Sequence, residues 1–395
     1  MSTPTLTAPP PRPLPPAAQP APARESGPGL RVMFAVQGEG RGHMTQAIAV
    51  AAWLRARGHT VERVLMGESA RRQPPAFVRE GLGAPIHLMP SPNFVSDERG
   101  RILLGRTVVE GFRQSRRYAP TLGVIQRHVE EVQPDVIVNF FEAVTGLWAL
   151  LRRPRVPVVA VAHQFMFGHP AYHFAPHSPL QRAGLRLYTW FAGRGAHTRL
   201  AISLEDAPPL PRKRIVPVPP VLRPEVHALA HAGREADGSL LVYLMEPALA
   251  DGLRRWSERH PDVPLHVFWD GPAAVHGPSL RFHPLDGTHF LERMACCRAV
   301  VSTAGFESVG EAMTLGKPAL LVPVPGHYEQ ACNALDAARN GAGLAAETFD
   351  LDGFLDFLPS YTPPAAFQTW VAGAESAVVG AIEAAAREAR KRVGM

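Results

Sequence analysis

The stretch STAGFESVGEAMTLGKPALLVPVPGHYEQACNALDAARNGAG, residues 302–343, decides how this chain folds. The apolar run 299–302 ends in the small residues Ser302, Thr303, Ala304 and Gly305, and a segment with helical spacing follows at 306–315. A second apolar run, 319–324, leads to another helical segment, 328–340. Strand, turn, helix, strand and helix in that order point to a parallel sheet with helices on its faces. Both turns stand at helix starts, where the first amides have no partner within the helix and the dipole is positive, so an anion is stabilised there. Ser302, Thr303, Ala304 and Gly305 are therefore candidates to cradle a phosphate. Glu311 lies one turn beyond Glu307, and its carboxylate has the acceptor capacity for two vicinal hydroxyls, as in a ribose. Glu329 and Gln330, at the second helix start, are candidates for sugar hydroxyls. Glu307 alone reads as an ordinary first-turn acid, and Ser302 and Thr303 would serve equally as helix caps.

The alternation extends in both directions from this stretch. Candidate strands lie at 32–36, 61–66, 135–140, 157–162 and 199–203 in the first half, and at 239–245 and 264–269 in the second, with helices near 248–259 and 288–296. Ile48, Ala49, Ala52, Trp53 and Ala56 recur at helical spacing, and Gly58 follows as a C-cap. Between the halves, RIVPVPPVLRPEV, residues 214–226, has spaced prolines that donate nothing to a sheet interior, which predicts a stiff connector. The expected fold class is α/β, with two doubly wound Rossmann-like units facing a cleft at the C-terminal ends of their strands. The expected divisions are a tail at 1–29, units at 30–213 and 227–364 joined by 214–226, and a helical segment at 365–395 packing back across the hinge.

Composition narrows the function. At 395 residues the chain is long for one core, and 46% hydrophobic against 19% charged residues suits a globular enzyme rather than a disordered chain. The three cysteines show no disulfide framework, which predicts a reducing, cytoplasmic setting. Prolines crowd the first 29 residues and exclude an apolar signal core there, and no run of about 18 apolar residues is long enough to span a bilayer. A net charge of +6 suits an anionic membrane or a phosphate-bearing ligand, whereas scattered arginines without basic blocks argue against nucleic acid.

GEGRGHMTQA, residues 38–47, follows the first strand. Its third glycine comes one position too early for a dinucleotide fingerprint and a histidine takes the place where that helix would pack, which disfavours a nicotinamide oxidoreductase. Gly40 and Gly42 leave room for a substrate hydroxyl. A histidine at a helix start is held neutral by the dipole, the form a general base requires, so His43 is a candidate base.

Together 302–343, FLERMACCRAVVSTAG (290–305) and GEGRGHMTQAIAVAAWLRARGH (38–59) resemble the GT-B glycosyltransferases of the family 28 and family 1 group, which includes the peptidoglycan N-acetylglucosaminyltransferase, monogalactosyldiacylglycerol synthases and UDP-glycosyltransferases. The resemblance implies a metal-independent hexosyltransferase with a nucleotide-sugar (UDP-sugar) co-substrate and no cofactor. It places the diphosphate at Gly305 and its neighbours, the ribose at Glu311, the donor sugar at Gln330 and the base at His43. Related UDP-glycosyltransferases orient that histidine with an aspartate; here Glu142, in NFFEAVTG, is the substitute. YLMEPA (243–248) replaces the glycine-rich loop common in the group, so phosphate contacts are not expected there.

HQFMFGHPAYHFAPH (163–177) reads as an acceptor-side loop with His163 at a strand end, since Pro170 and Pro176 break the helix that would align its histidines on a metal. No metal site is expected, and Asp350 and Asp352 read as structural. GRILLGRTVVEGFRQSRR (100–117) and LQRAGLRLYTWFAGR (180–194) mix basic and apolar residues, as ordinary helices do and as segments on an anionic lipid surface do. The acceptor is then a small molecule or a lipid, with peripheral contact at the inner face of the membrane. A non-hydrolysing UDP-sugar 2-epimerase and a non-catalytic sugar-nucleotide or lipid-binding protein remain as alternatives.

Overall fold

A computed structural model describes residues 29–39, 41–68, 74–92, 115–176, 178–244 and 250–393. The first unit runs β1 (Arg31–Val36), α1 (Arg41–Ala56), β2 (Thr60–Gly67), α2 (Ala76–Leu82), β3 (Ile86–Met89), α3 (Ser115–Val132), β4 (Val136–Phe140), α4 (Ala143–Arg152), β5 (Val158–Ala162), a 3-10 turn (His163–Gly168), α5 (Pro179–Gly193), β6 (Thr198–Ile202) and β7 (Ile215–Val218). After α6 (Pro224–Ala232) come β8 (Leu240–Leu244), α7 (Ala250–Arg259), β9 (Leu265–Trp269), β10 (Ala274–His276), β11 (Leu280–Pro284), α8 (Gly287–Cys296), β12 (Ala299–Ser302), α9 (Phe306–Thr314), β13 (Ala319–Leu321), α10 (Tyr328–Arg339), β14 (Gly343–Ala345), α11 (Leu351–Phe357), α12 (Ala365–Val371) and α13 (Ala374–Val393).

The strands form two seven-stranded sheets, ordered β3-β2-β1-β4-β5-β6-β7 and β10-β11-β9-β8-β12-β13-β14. All pairings are parallel except β10 with β11. In each sheet the order reverses beside the first strand, β1 against β4 and β8 against β12, and a ligand crevice opens where the connections diverge. The central strands VIVNF and VVAVA are wholly buried, as helix-covered parallel strands must be.

Two parts of the chain depart from the sequence reading. Ile215–Val218, assigned to the connector by its prolines, is β7, hydrogen-bonded to β6. It is the outer strand of its sheet, so the missing amide of Pro217 interrupts no central ladder. The short strands β3, β10, β11 and β14 were also not apparent, because runs of three to five residues carry little periodicity.

After α12, α13 returns to the first unit. Val378, Val379, Ile382, Ala385 and Ala386 are buried there, while Arg390 pairs with Asp135 at 2.7 Å and Glu383 with His59 at 3.1 Å. In α12, Gln368 donates to the Met313 carbonyl of α9 and Trp370 to the Ser203 carbonyl beyond β6, so this short helix holds both units.

In the second sheet, His266 of β9 and His283 of β11 place ring nitrogens 2.9 Å apart. Burial, neighbouring Arg293 and Arg281, and adjacent histidines push both down to about 4, with Asp237 the opposing charge on His266. A histidine whose folded value lies below that of the unfolded chain costs nothing above about pH 6.5, and stability falls as the pH drops from there toward 4. The melting temperature is expected to fall between pH 7 and pH 5, with a shallower slope in His266→Gln; circular-dichroism melts across that range read the difference, and an unchanged slope rules the pair out as a cause.

Candidate active site between the two units

Helix α1 leaves the C-terminal end of β1 through residues 37–40, and His43 falls in its first turn with 9% of its surface exposed. Its ring stacks on Phe141 at 5.5 Å, and Nδ1 lies 3.4 Å from the Gln46 side-chain oxygen one turn on. The imidazole is lowered to about 4 chiefly by burial, which outweighs the Gln46 hydrogen bond and the Glu329 charge; His163 lowers it further. Desolvation, the first of these causes, therefore does the work that the sequence reading assigned to the helix dipole. Gly42 has a specific steric reason to be glycine: a Cβ there would stand 2.8 Å from Glu307 Cγ of the second unit.

Glu142 has a different task from the one proposed for it. Its carboxylate caps α4, accepting from the amides of Val144 and Thr145, and also accepts from the Ser91 hydroxyl. With both oxygens so engaged it is not the partner of His43, whose Nδ1 contacts Gln46 instead.

In the second unit Ser302 ends β12 and Thr303 is buried beside it. Ala304 adopts φ 59°, the left-handed region, and Gly305 follows as the N-cap of α9. Gly305 brings no side-chain cap to this helix, so among the described residues its first amides stay available to an anion. The Ser302 and Ser308 hydroxyls lie 3.3 Å apart, and Asn333 of α10 pins the Ala304 carbonyl at 3.2 Å. Glu311, 6% exposed, accepts twice from Arg223, at 3.0 and 2.7 Å. Burial raises its carboxyl while the guanidinium opposes that. Glu307 is raised to about 8 by burial and by Glu311, against the Gln46 bond and the Arg223 charge.

The two units meet at these residues. Gln46 donates to Glu307 through a short hydrogen bond, Gln164 donates to Glu329 at 2.9 Å, and the His163 ring stacks on Phe306 at 4.3 Å and 15°. His163 Nε2 faces Glu329 at 3.7 Å, an ion-pair distance beyond hydrogen-bond length, and among the described residues neither buried ring nitrogen has a hydrogen-bond partner. Glu329 stays below the usual carboxylate range although burial pushes it up, because His163, His327 and Gln164 favour the anion. Gln330 accepts the Val324 amide at 2.8 Å, which fixes the loop before α10. His43, His163, Glu307, Glu311 and Glu329 thus lie along one seam.

A family model described as "Glycosyl transferase family 1" matches residues 30–360. The chain belongs to glycosyl transferase family 1. It is a GT-B enzyme of the family 28 and family 1 group, and a transferase. The transferase is 28% identical to a protein of Clavibacter michiganensis subsp. michiganensis named UDP-N-acetylglucosamine--N-acetylmuramyl-(pentapeptide) pyrophosphoryl-undecaprenol N-acetylglucosamine transferase, over 91% of this chain and 95% of that one. Among solved structures it is similar to Acinetobacter baumannii MurG (18% identity, TM-score 0.56, 90% and 99% of the chains). It is also similar to Arabidopsis thaliana UGT89C1 complexed with quercetin (15%, 0.56, 88% and 94%).

Sequence reasoning passed over Gln46, Arg223 and Gln164 and undervalued Glu307. Gln46 stands at i+3 from His43, a spacing that puts both on one helix face and was open to view. Arg223 reaches Glu311 across 88 positions, which only the folded chain reveals. Asp350 caps α11 and Asp352 accepts from the Trp256 indole, both away from this seam in sequence and in contacts. Gly40, residue 177 and most of 100–117 and of 243–248 lie outside the described residues. Among the described residues no group of three or more His, Cys, Asp or Glu is arranged to hold a metal ion, and no helix is long and apolar enough to cross a membrane.

Proposed function

We propose that this transferase moves a sugar from a uridine diphosphate donor to the hydroxyl of a lipid-linked acceptor, with His43 as general base. The observation that carries the reading is a neutral, buried His43 set against the first turn of α9, the helix whose uncapped amides suit a diphosphate. His43 Nε2 takes the acceptor O–H proton as the oxygen bonds to the anomeric carbon. The bond from that carbon to the diphosphate breaks with its electron pair, and the departing charge is met by the α9 amides and the hydroxyls of Ser302 and Thr303. Glu311 holds the ribose, Glu329 and Gln330 hold the donor sugar, and His163, whose ring nitrogens make no hydrogen bond among the described residues, faces sugar or acceptor hydroxyls.

The name of the Clavibacter relative supports a UDP-sugar donor and a lipid-linked acceptor. So does α5, which exposes Leu180, Leu187, Trp190 and Phe191 beside Arg182 and Arg186. A neighbouring pocket of about 720 Å³ adds Arg212 and Lys213 to the same two arginines, with no acid among the described residues that line it. This face suits peripheral contact with an anionic membrane on its cytoplasmic side. Nucleotide release from a panel of nucleotide sugars, with and without lipid extract, tests the reading: release is expected with a UDP-sugar, stimulated by lipid and reduced at least ten-fold in Glu311→Ala. Failure to bind any nucleotide sugar sinks it.

A further inference from the structure

His43 does not meet Gln46 in isolation. The Gln46 side chain, on a residue only 1% exposed, uses its oxygen toward His43 Nδ1 and its amide nitrogen toward Glu307, which belongs to the opposite unit. The order of donors follows from elementary valence. An ionised carboxylate only accepts, so once Glu307 has lost its proton, above about pH 8, Gln46 must turn its NH₂ to Glu307 and its oxygen to the histidine. That oxygen accepts a proton only from Nδ1–H, which leaves the lone pair on Nε2. The hydrogen bond of the His43 ring to Gln46 is made through Nδ1. Gly42 provides the space in which the Glu307 side chain reaches α1.

We propose that Glu307 is a positioning residue for the base: from the second unit it orders the Gln46 amide, which selects the Nδ1–H tautomer of His43 and presents the Nε2 lone pair when the units are closed on each other. The proposal rests on the reading of His43 as base. It couples base activation to the meeting of the donor and acceptor units, so an enzyme that has not closed lacks the correct tautomer. The charged and titratable groups around Glu307 are Glu311 on its own helix and Arg223 before α6; around His43 they are Glu329 and His163. Protonated Glu307 is free to donate to Gln46 and allow the amide to reverse, and with its carboxyl raised to about 8 the enforced order strengthens as pH rises through that value.

The test uses the whole protein with a UDP-sugar and the acceptor found in the nucleotide-release panel. Glu307→Leu is expected to lower kcat about ten-fold with the Kd for UDP within two-fold of wild type, and nitrogen-15 NMR of labelled histidine is expected to move His43 from the Nδ1–H to the Nε2–H form. Glu307→Gln, which accepts from Gln46 but also donates, as the protonated acid does, is expected to hold kcat near the wild-type value found below pH 8 and to lose the rise in kcat near pH 8. Wild-type kcat in Glu307→Leu, an unchanged His43 tautomer, or a loss confined to UDP affinity overturns the proposal. Unimpaired turnover in His43→Ala strikes instead at the base reading on which it rests.

Discussion

His43→Ala is expected to lower kcat by about 10²–10⁴-fold, the range supplied by a positioned general base, while leaving the Kd for UDP close to the wild-type value. The separation follows from the architecture. His43 belongs to α1 of the first unit, whereas the proposed nucleotide contacts belong to β12, α9 and α10 of the second. The pH profile gives an independent check. Because the imidazole is lowered to about 4, the base is unprotonated at every pH above that, so, beyond the step near pH 8 that follows Glu307, the wild-type rate should fall as pH approaches 4 and not near the 6.5 of an exposed histidine. A wild-type acidic limb near 6.5, or an acidic limb that survives in His43→Ala, assigns the base to another residue.

How much of this was legible in the sequence depends on the range over which each feature is encoded. The β12–α9–β13–α10 succession could be read from 302–343 because each step is local: a four-residue apolar run, a small-residue turn and a helical period follow one another within a few positions. His43 and the α9 start were visible for the same reason. The prolines of 214–226 misled because they speak against a central strand and are silent about an outer one, so β7 was hidden. Glu142 misled in another way. A carboxylate two and three residues before unsatisfied helix amides is first a cap, and that local demand consumed the oxygens proposed for His43. The contacts that join the units, Gln46 to Glu307 and Gln164 to Glu329, link positions 261 and 165 residues apart, and no periodicity encodes such a meeting.

The other large effect is expected at Arg223, where binding and stability are tied together. Its guanidinium spends Nε and Nη2 on one oxygen of Glu311 and Nη1 on the Gly287 carbonyl at 3.3 Å, so it joins the segment before α6 to the start of α8 and the middle of α9. Side-chain exposures of 19% and 8% put this pair largely out of water. Removing one member of a buried pair leaves an uncompensated charge and costs about 3–5 kcal/mol, well above the 0–1 kcal/mol of a surface pair. Arg223→Met is therefore expected to lower the melting temperature by about 6–20 °C, at about 2–4 °C for each kcal/mol in a domain of 150–250 residues. The sign of its pH dependence is diagnostic. Without the guanidinium, burial and the Glu225 charge act unopposed on Glu311 and raise its folded value further above that of the unfolded chain, so the loss should grow as pH rises from about 4.5 through that raised value and shrink toward acid. Arg223→Met/Glu311→Gln should recover most of the stability and none of the donor affinity, because the proposed ribose acceptor is then absent. Melts of the single and double variants at pH 5 and 8, with UDP titrations beside them, read all three effects. A double variant as unstable as Arg223→Met would show that Arg223 acts through Gly287 and packing, and not through the Glu311 carboxylate.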